Sequence, residues 1–390
     1  MLEQIAFSRT GDFLAFMNGL SQTGDAQSLI HGIFIDLHPT WKNIVDGEIN
    51  TGIQDWDGSF PGSDQYDSQS PLERSRGVGK YDLSYFPRRW VRTCERVQRA
   101  PSPFIVIIYV TPTSRDTTPG RRHLEDYARK QPFFTIVIEA PIATFAATIQ
   151  GGAEITATSS GTIGGFLRDA SGTAWGVTCG HVATNPGGNV DLEDAGGTTV
   201  TGAGIVRHTN FQQFQGAPAP GFCNPYVGST PTVDVDGALF EISSGHSVVS
   251  RVKSVGQIDS IYDRGQLGSG CVVAMSGAIT GRQDYEIGAY GVTCKVAMHS
   301  NATKFCFSDV FEFYAPGTGP GWAPRRVLQM FAPRPVPGDS GSWLCFNHSG
   351  VDHAYFGNLI AVRGPVGIAT FADSLVKWAD QTANLKLAPF

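Results

Sequence analysis

Gly161-Thr162-Ile163-Gly164-Gly165-Phe166-Leu167, a polar turn at Asp169-Ala170-Ser171-Gly172, then Thr173-Ala174-Trp175-Gly176-Val177-Thr178 is the stretch that decides the fold. Two short apolar segments joined by a polar, glycine-bearing turn read as a β-hairpin. The same unit recurs downstream, with apolar segments at 162–167, 173–178, 198–206, 235–242, 252–258, 271–275, 289–297, 305–313, 326–331, 342–346, 355–362 and 366–371. Gly, Asn, Asp and Pro clusters separate them. A dozen short strands at this spacing predict a mainly β architecture, and twelve is what two six-stranded antiparallel barrels require. Asp373 then stands as the N-cap of a closing helix, Ser374 to Ala383, with Leu375, Trp378 and Ala379 on one face.

Composition supports this reading. Of 390 residues only 16% are charged and 47 are Gly, which disfavours coiled coil and long solvated helices. The formal net charge of −6 offers no cationic surface for nucleic acid, so no nucleic-acid partner is expected. The longest apolar runs, Phe104 to Val110 and Phe133 to Ile138, are too short to cross a bilayer. Glu3, Arg9 and Asp12 interrupt the first dozen residues, so no export signal is read. The seven cysteines (94, 179, 223, 271, 294, 306 and 345) are odd in number, scattered and without a CxxC pair. They are expected as free thiols in a reducing, cytoplasmic setting, with no zinc site. His348 to His353, with Asp352, could hold a metal but reads first as a wet loop after a strand.

Residues 1–150 differ in character. Arg89 to Ala100 puts Trp90, Val91, Cys94 and Val97 on one helical face, and Phe104 to Val110 is a continuous apolar strand. Pro119 to Lys130 reads as a second helix and Phe133 to Glu139 as another strand, together a small α/β domain. The stretch Gly47 to Lys80 reads as loop. Its Gly77-Val78-Gly79-Lys80 lacks the first half of a phosphate loop and a preceding strand. The expected organisation is an N-terminal α/β domain at 1–150, a first barrel at about 151–250, a second at about 251–372 and a helix at 373–385.

Three short motifs carry chemistry. In Pro337-Gly338-Asp339-Ser340-Gly341-Ser342 a hydroxyl sits on a tight, glycine-flanked turn, as a nucleophile needs, and the N–H groups of Gly338 and Ser340 can form an oxyanion hole. Gly176-Val177-Thr178-Cys179-Gly180-His181-Val182 ends a strand in an imidazole at the barrel rim. Val233-Asp234-Val235-Asp236-Gly237-Ala238-Leu239 places carboxylates just before a buried strand, where they need a partner. Asp234 and Asp236 share a strand face and both can serve; the Ala238-Leu239 that follows favours Asp236.

In the order His181, Asp236, Ser340, these motifs resemble those of the trypsin-like serine peptidases of the chymotrypsin fold. The matching pieces are Thr178-Cys179-Gly180-His181, Asp236-Gly237-Ala238-Leu239 and Gly338-Asp339-Ser340-Gly341-Ser342, within a resemblance spanning roughly 160 to 385. It implies Ser340 as nucleophile, His181 as general base and then acid, and Asp236 as its orienting carboxylate, with no cofactor or metal and a polypeptide as substrate. The N-terminal segment feeding into Ile149-Gln150-Gly151-Gly152 is similar to the intracellular bacterial and plant narrow-leaf type, in which a leading domain could regulate, recruit or self-associate. Val182 and Val336 stand where extracellular members carry bridging cysteines, and no activation sequence is evident, so Asp339 could do without a partner from a cut chain end. The resemblance also assigns Ile360, Ala361, Arg363 and Arg334 to the substrate pocket. An Arg334 floor would favour an acidic side chain; the alternative is that Arg334, between Pro333 and Pro335, faces solvent. An inactive peptidase-like binding module is the alternative function, and a degenerate copy would be expected to have lost Ser340 or His181. A serine esterase elbow is excluded because Gly-x-Ser-x-Gly is absent and the histidine leads.

Overall fold

The computed structural model describes residues 1–37, 104–112, 117–145, 154–194, 198–211, 222–227, 233–297, 304–316, 334–348 and 352–390. The expected helix at 89–100, the loop at 47–80 and the strand at 326–331 lie outside the described residues. Two helices open the chain, α1 (Leu2–Phe7) and α2 (Gly11–Leu20). The Thr10 hydroxyl accepts from the Phe13 N–H and so caps α2, and Phe13, Phe16, Met17 and Leu20 form its buried face. Then follow β1 (Ile30–Leu37), β2 (Phe104–Val110), α3 (Thr118–Arg129), β3 (Phe134–Glu139) and the short β4 (Ala143–Phe145). The runs that read as strand, helix and strand here are β2, α3 and β3. The sequence reading marked none of α1, α2, β1 or β4.

Beyond residue 150 the chain is mainly β, in two barrel-like sheets. The first holds β5 (Glu154–Thr156), β6 (Ser160–Thr162), β7 (Gly165–Arg168), β8 (Ala174–Thr178), β9 (Asn189–Glu193), β10 (Thr199–Thr209) and β11 (Ala238–Ile242). They are ordered β6-β5-β9-β10-β11-β8-β7. The second begins with β12 (Arg251–Val252), β13 (Gly256–Ile261), β14 (Val272–Gly277) and β15 (Gly281–Ala297). It continues with β16 (Lys304–Tyr314), β17 (Trp343–Asn347), β18 (Asp352–Arg363) and β19 (Val366–Phe371).

Among the described residues the sheets hold seven and twelve strands, above the six expected of each. Four of the strands in the second sheet, β1 to β4, come from the N-terminal segment. β1 pairs antiparallel with β15 (Gly32 opposite Cys294), and β2 and β3 extend the sheet from there. The apolar faces of these strands therefore bury against residues of the second barrel: Ile33, Val106 and Ile108 share one core with Tyr285, Phe311 and Phe371.

The closing helix α4 (Ala372–Ala383) packs Leu375 and Ala379 inward, as its periodicity predicts. Asp373 is not its cap. It lies in the first turn, where Arg264 holds its carboxylate at 2.9 Å. The free-thiol expectation is also corrected: Cys223 is disulfide-bonded to Cys306, while Cys179, Cys271, Cys294 and Cys345 are free. The pair is 83 residues apart. It is brought together because Val233 runs beside β16, its N–H on the Cys306 carbonyl (2.9 Å) and its carbonyl taking the Ser308 N–H (2.8 Å). No helix among the described residues is long and apolar enough to cross a membrane.

Candidate active site

Register explains why His181 and Asp236 meet. β8 and β11 are antiparallel neighbours with Thr178, the last residue of β8, opposite Ala238, the first of β11. The chain leaving β8 and the chain entering β11 therefore emerge at the same end of the sheet, three residues past one terminus and two before the other. His181 Nδ1 lies 2.5 Å from Asp236 Oδ2, and the His181 backbone N–H donates to Asp236 Oδ1 (3.1 Å). Asp236 is 0% exposed and His181 6%, whereas Asp234 is exposed. A carboxylate this deep needs such donors.

Asn210, which no sequence pattern marks, holds this loop. The Asn210 side chain accepts from the Gly237 N–H (2.9 Å), donates to the Val235 carbonyl, and its backbone N–H donates to the Gly237 carbonyl (3.1 Å). Asp236 is thus clamped from both flanking peptides.

Ser340 comes from the second sheet, on the turn before β17. Gly338 and Gly341 take φ of +104° and +94°, the left-handed region open to glycine. A Cβ on Gly341 would lie 2.2 Å from the Thr162 carbonyl and 3.3 Å from the Cys179 nitrogen, so the turn is pressed against the histidine motif. Gly161 lies between the two: its Cβ would be 2.6 Å from a Val182 methyl and 3.1 Å from the Ser340 carbonyl.

Thr162 ties the sheets together. Its N–H donates to the Ser340 carbonyl (2.8 Å), its hydroxyl donates to the Gly338 carbonyl (2.9 Å) and accepts from the Ala278 N–H (2.9 Å), and its carbonyl receives the Thr178 hydroxyl (2.9 Å). Ser340 is 0% exposed, and its Oγ makes no hydrogen bond among the described residues. Within those residues the N–H groups of Gly338 and Ser340 are not given to any other group either. Two buried donors without an acceptor, beside a buried hydroxyl, suit an incoming oxyanion.

Asp339 stabilises the turn from behind. Its carboxylate accepts from the N–H groups of Val336 (3.0 Å), Ile279 (3.0 Å) and Thr280 (3.2 Å). Burial holds its carboxyl above the usual range, against the pull of these donors. All three donors are internal amides, so no freed chain end is required to satisfy it.

The pocket residues divide. Ile360 and Ala361 are fully buried on β18, beside Leu359, whose carbonyl accepts the Gly341 N–H (2.9 Å) and the Cys179 thiol (3.2 Å). Arg334 is exposed and forms no buried floor. Arg363 is buried but committed: it is ion-paired with Glu312 and stacks 3.5 Å over the Tyr109 ring and 5.2 Å over Phe34. Arg363 is therefore not available to an acidic side chain. A cleft of about 360 Å³ between Ile163–Phe166 and Val249–Ser254 lies apart from His181, Asp236 and Ser340, none of which lines it.

Among the described residues, the only His/Cys/Asp/Glu cluster of three with ligand atoms mutually within 4.8 Å is Cys179, His181 and Asp236. Burial and the Asp236 charge push the Cys179 thiol well up, away from the thiolate a metal would need. His348 and His353 do not form a second cluster. His348 bonds Asp259 (2.9 Å) and His353 is buried in β18.

No family description and no curated protein sequence matches the chain. Solved structures similar to it include a Nocardiopsis protease (16% identity, 62% of this chain and 98% of that one, TM-score 0.38) and Thermobifida fusca protease A (16%, 63% and 100%, TM-score 0.39). Cellulomonas bogoriensis chymotrypsin is a third (15%, 62% and 98%, TM-score 0.36). The chain is mainly β, with two barrel-like sheets and a C-terminal helix, and the solved structures it is similar to are chymotrypsin-fold serine proteases.

Proposed function

We propose that the chain is a serine endopeptidase that hydrolyses peptide bonds through an acyl-enzyme. The observation that supports this best is a buried imidazole–carboxylate pair, His181–Asp236 at 2.5 Å, in a motif packed against a serine turn whose neighbouring N–H groups are uncommitted. Asp236 holds the proton on His181 Nδ1 and so presents Nε2 as the base. Ser340 Oγ attacks the scissile carbonyl carbon, and Nε2 takes the hydroxyl proton. The N–H groups of Gly338 and Ser340 bind the tetrahedral oxyanion. His181 passes its proton to the leaving amine, the C–N bond breaks, and the acyl group remains on Ser340. Water, deprotonated by His181, then releases the acid and restores the hydroxyl. The substrate is a polypeptide, and residues 1–150 act on its access to the cleft.

Fluorophosphonate labelling tests this. Wild type is expected to be labelled covalently at Ser340, and Ser340→Ala and His181→Ala to lose labelling and peptide hydrolysis together. Equal labelling of Ser340→Ala would place the reactive group elsewhere and favour the binding-module reading.

A further inference from the structure

We propose that β4 is a built-in occupant of the peptide-binding slot, so that the folded chain holds its own backbone where an extended polypeptide substrate must lie. This rests on the reading of Ser340 as nucleophile. Near its C-terminal end β18 is flanked on both sides. β19 pairs with it at Ala361 and Val362 on one side, and β4 pairs antiparallel at the same residues on the other, with Phe145 opposite Ala361 and Thr144 opposite Val362.

Leu359, two residues back along β18, gives its carbonyl to the Gly341 N–H (2.9 Å) and its N–H to the Ser342 carbonyl (3.0 Å), the residues directly after Ser340. At about 3.4 Å per residue, the paired stretch starts about 7 Å from that contact. Because the pairing is antiparallel, the chain advancing from Ala143 to Phe145 runs towards Leu359, and hence towards the nucleophile.

The slot has a second wall. β4 also pairs in parallel with β15, with Ala143 opposite Val296 and Thr144 opposite Ala297. Thr144 therefore stands between Ala297 and Val362, and the two walls are two inter-strand spacings apart, about 9.6 Å. That width admits one extended backbone. Recognition by main-chain hydrogen bonding accepts many side-chain sequences, so the same slot suits a foreign peptide.

β4 is delivered in register by its approach. The Ala140 N–H donates to the Val110 carbonyl (3.0 Å), and the Ala140 carbonyl accepts from His31 Nε2 (2.8 Å). The buried Arg363–Glu312 pair and the Tyr109 ring over Arg363 fix β2 against the end of β18. A tethered strand competes at an effective concentration in the millimolar range, which an incoming peptide must overcome. The complete burial of Ser340 is what an occupied cleft would give.

The test compares full-length wild type with Thr144→Pro, which removes a β4 N–H and cannot sit in a paired strand. Folding is checked by circular dichroism. The substrates are a single-residue ester and an unstructured tetrapeptide amide. In the variant, kcat/KM for the tetrapeptide should rise at least about tenfold, mainly through KM, with the ester unchanged. An unchanged tetrapeptide KM in a folded variant overturns the proposal. Wild type alone gives a second measurement, valid even if the variant does not fold. Extending the single-residue ester to a tetrapeptide ester with the same leaving group should gain less than about threefold in kcat/KM, and a gain of about a hundredfold overturns occupancy. Fluorophosphonate labelling of Ser340 in either protein separates the two readings: if neither is labelled, the peptidase reading fails and takes this one with it, whereas labelling with no slot effect sinks this one alone.

Discussion

The backbone N–H of Thr162 donates to the carbonyl of Ser340 at 2.8 Å, so the serine turn of the second sheet is fastened to a strand of the first. The Thr162 hydroxyl adds the Gly338 carbonyl and the Ala278 N–H to the same junction. Thr162→Val keeps the shape and leaves both partners unsatisfied. It should cost about 1–3 kcal/mol of stability and lower kcat at least about tenfold, while Thr162→Ser should retain both. Urea unfolding and peptide hydrolysis measure the two effects separately.

Asp236 and Asp234 are two residues apart, yet one is 0% exposed against His181 and the other faces solvent. Asp236→Asn should reduce kcat by on the order of 10³–10⁴, the effect of losing the correct imidazole tautomer. Asp234→Asn should leave kcat within about twofold of wild type. The reverse ranking would unseat the assignment.

His31 is buried on β1, and burial first, then the Arg363 charge, lowers its pKa from 6.5 to about 3. Its folded pKa lies below the unfolded value, so the unfolded chain takes up the proton first. The neutral ring's contribution is therefore fully present above about pH 6.5 and drains away as pH falls towards 3. His31→Gln should flatten stability against pH across that window, as read by urea midpoints at half-unit steps. An identical slope in the variant would assign the acid sensitivity to other groups.

The Cys223–Cys306 bridge closes a long loop, 83 residues in separation. Dithiothreitol should lower the unfolding free energy of wild type by about 2–4 kcal/mol and leave Cys223→Ser/Cys306→Ser unaffected. Mass spectrometry with and without alkylation counts the thiols directly.

The three candidate residues were legible because each lies in a short, locally patterned motif: a strand that ends in His181, an acid before an apolar strand at Asp236, and glycines around Ser340. Strand 104–110 was legible as an uninterrupted apolar run, and 366–371 as a short, mainly apolar segment. Thr162 and Asn210 were not, because what they do depends on which distant peptide lies opposite. An ordinary polar residue has no pattern for that. β1 escaped because Gly32 and Asp36 break its apolar run, and its partner β15 is more than two hundred residues away. Arg363 read as a free cation because Glu312 and Tyr109, which absorb it, come from other strands.

The joining of β1 to β15 has a practical result for anyone who would trim this protein. Cutting the chain after Phe145 would strip Gly32, Ile33, Phe34 and Ile35 from their partners and bare a long apolar ladder. Naked ladders recruit one another. A shortened polypeptide should therefore clump before it could display any unleashed catalysis, and the opening third of the molecule is better loosened by point changes than cut away.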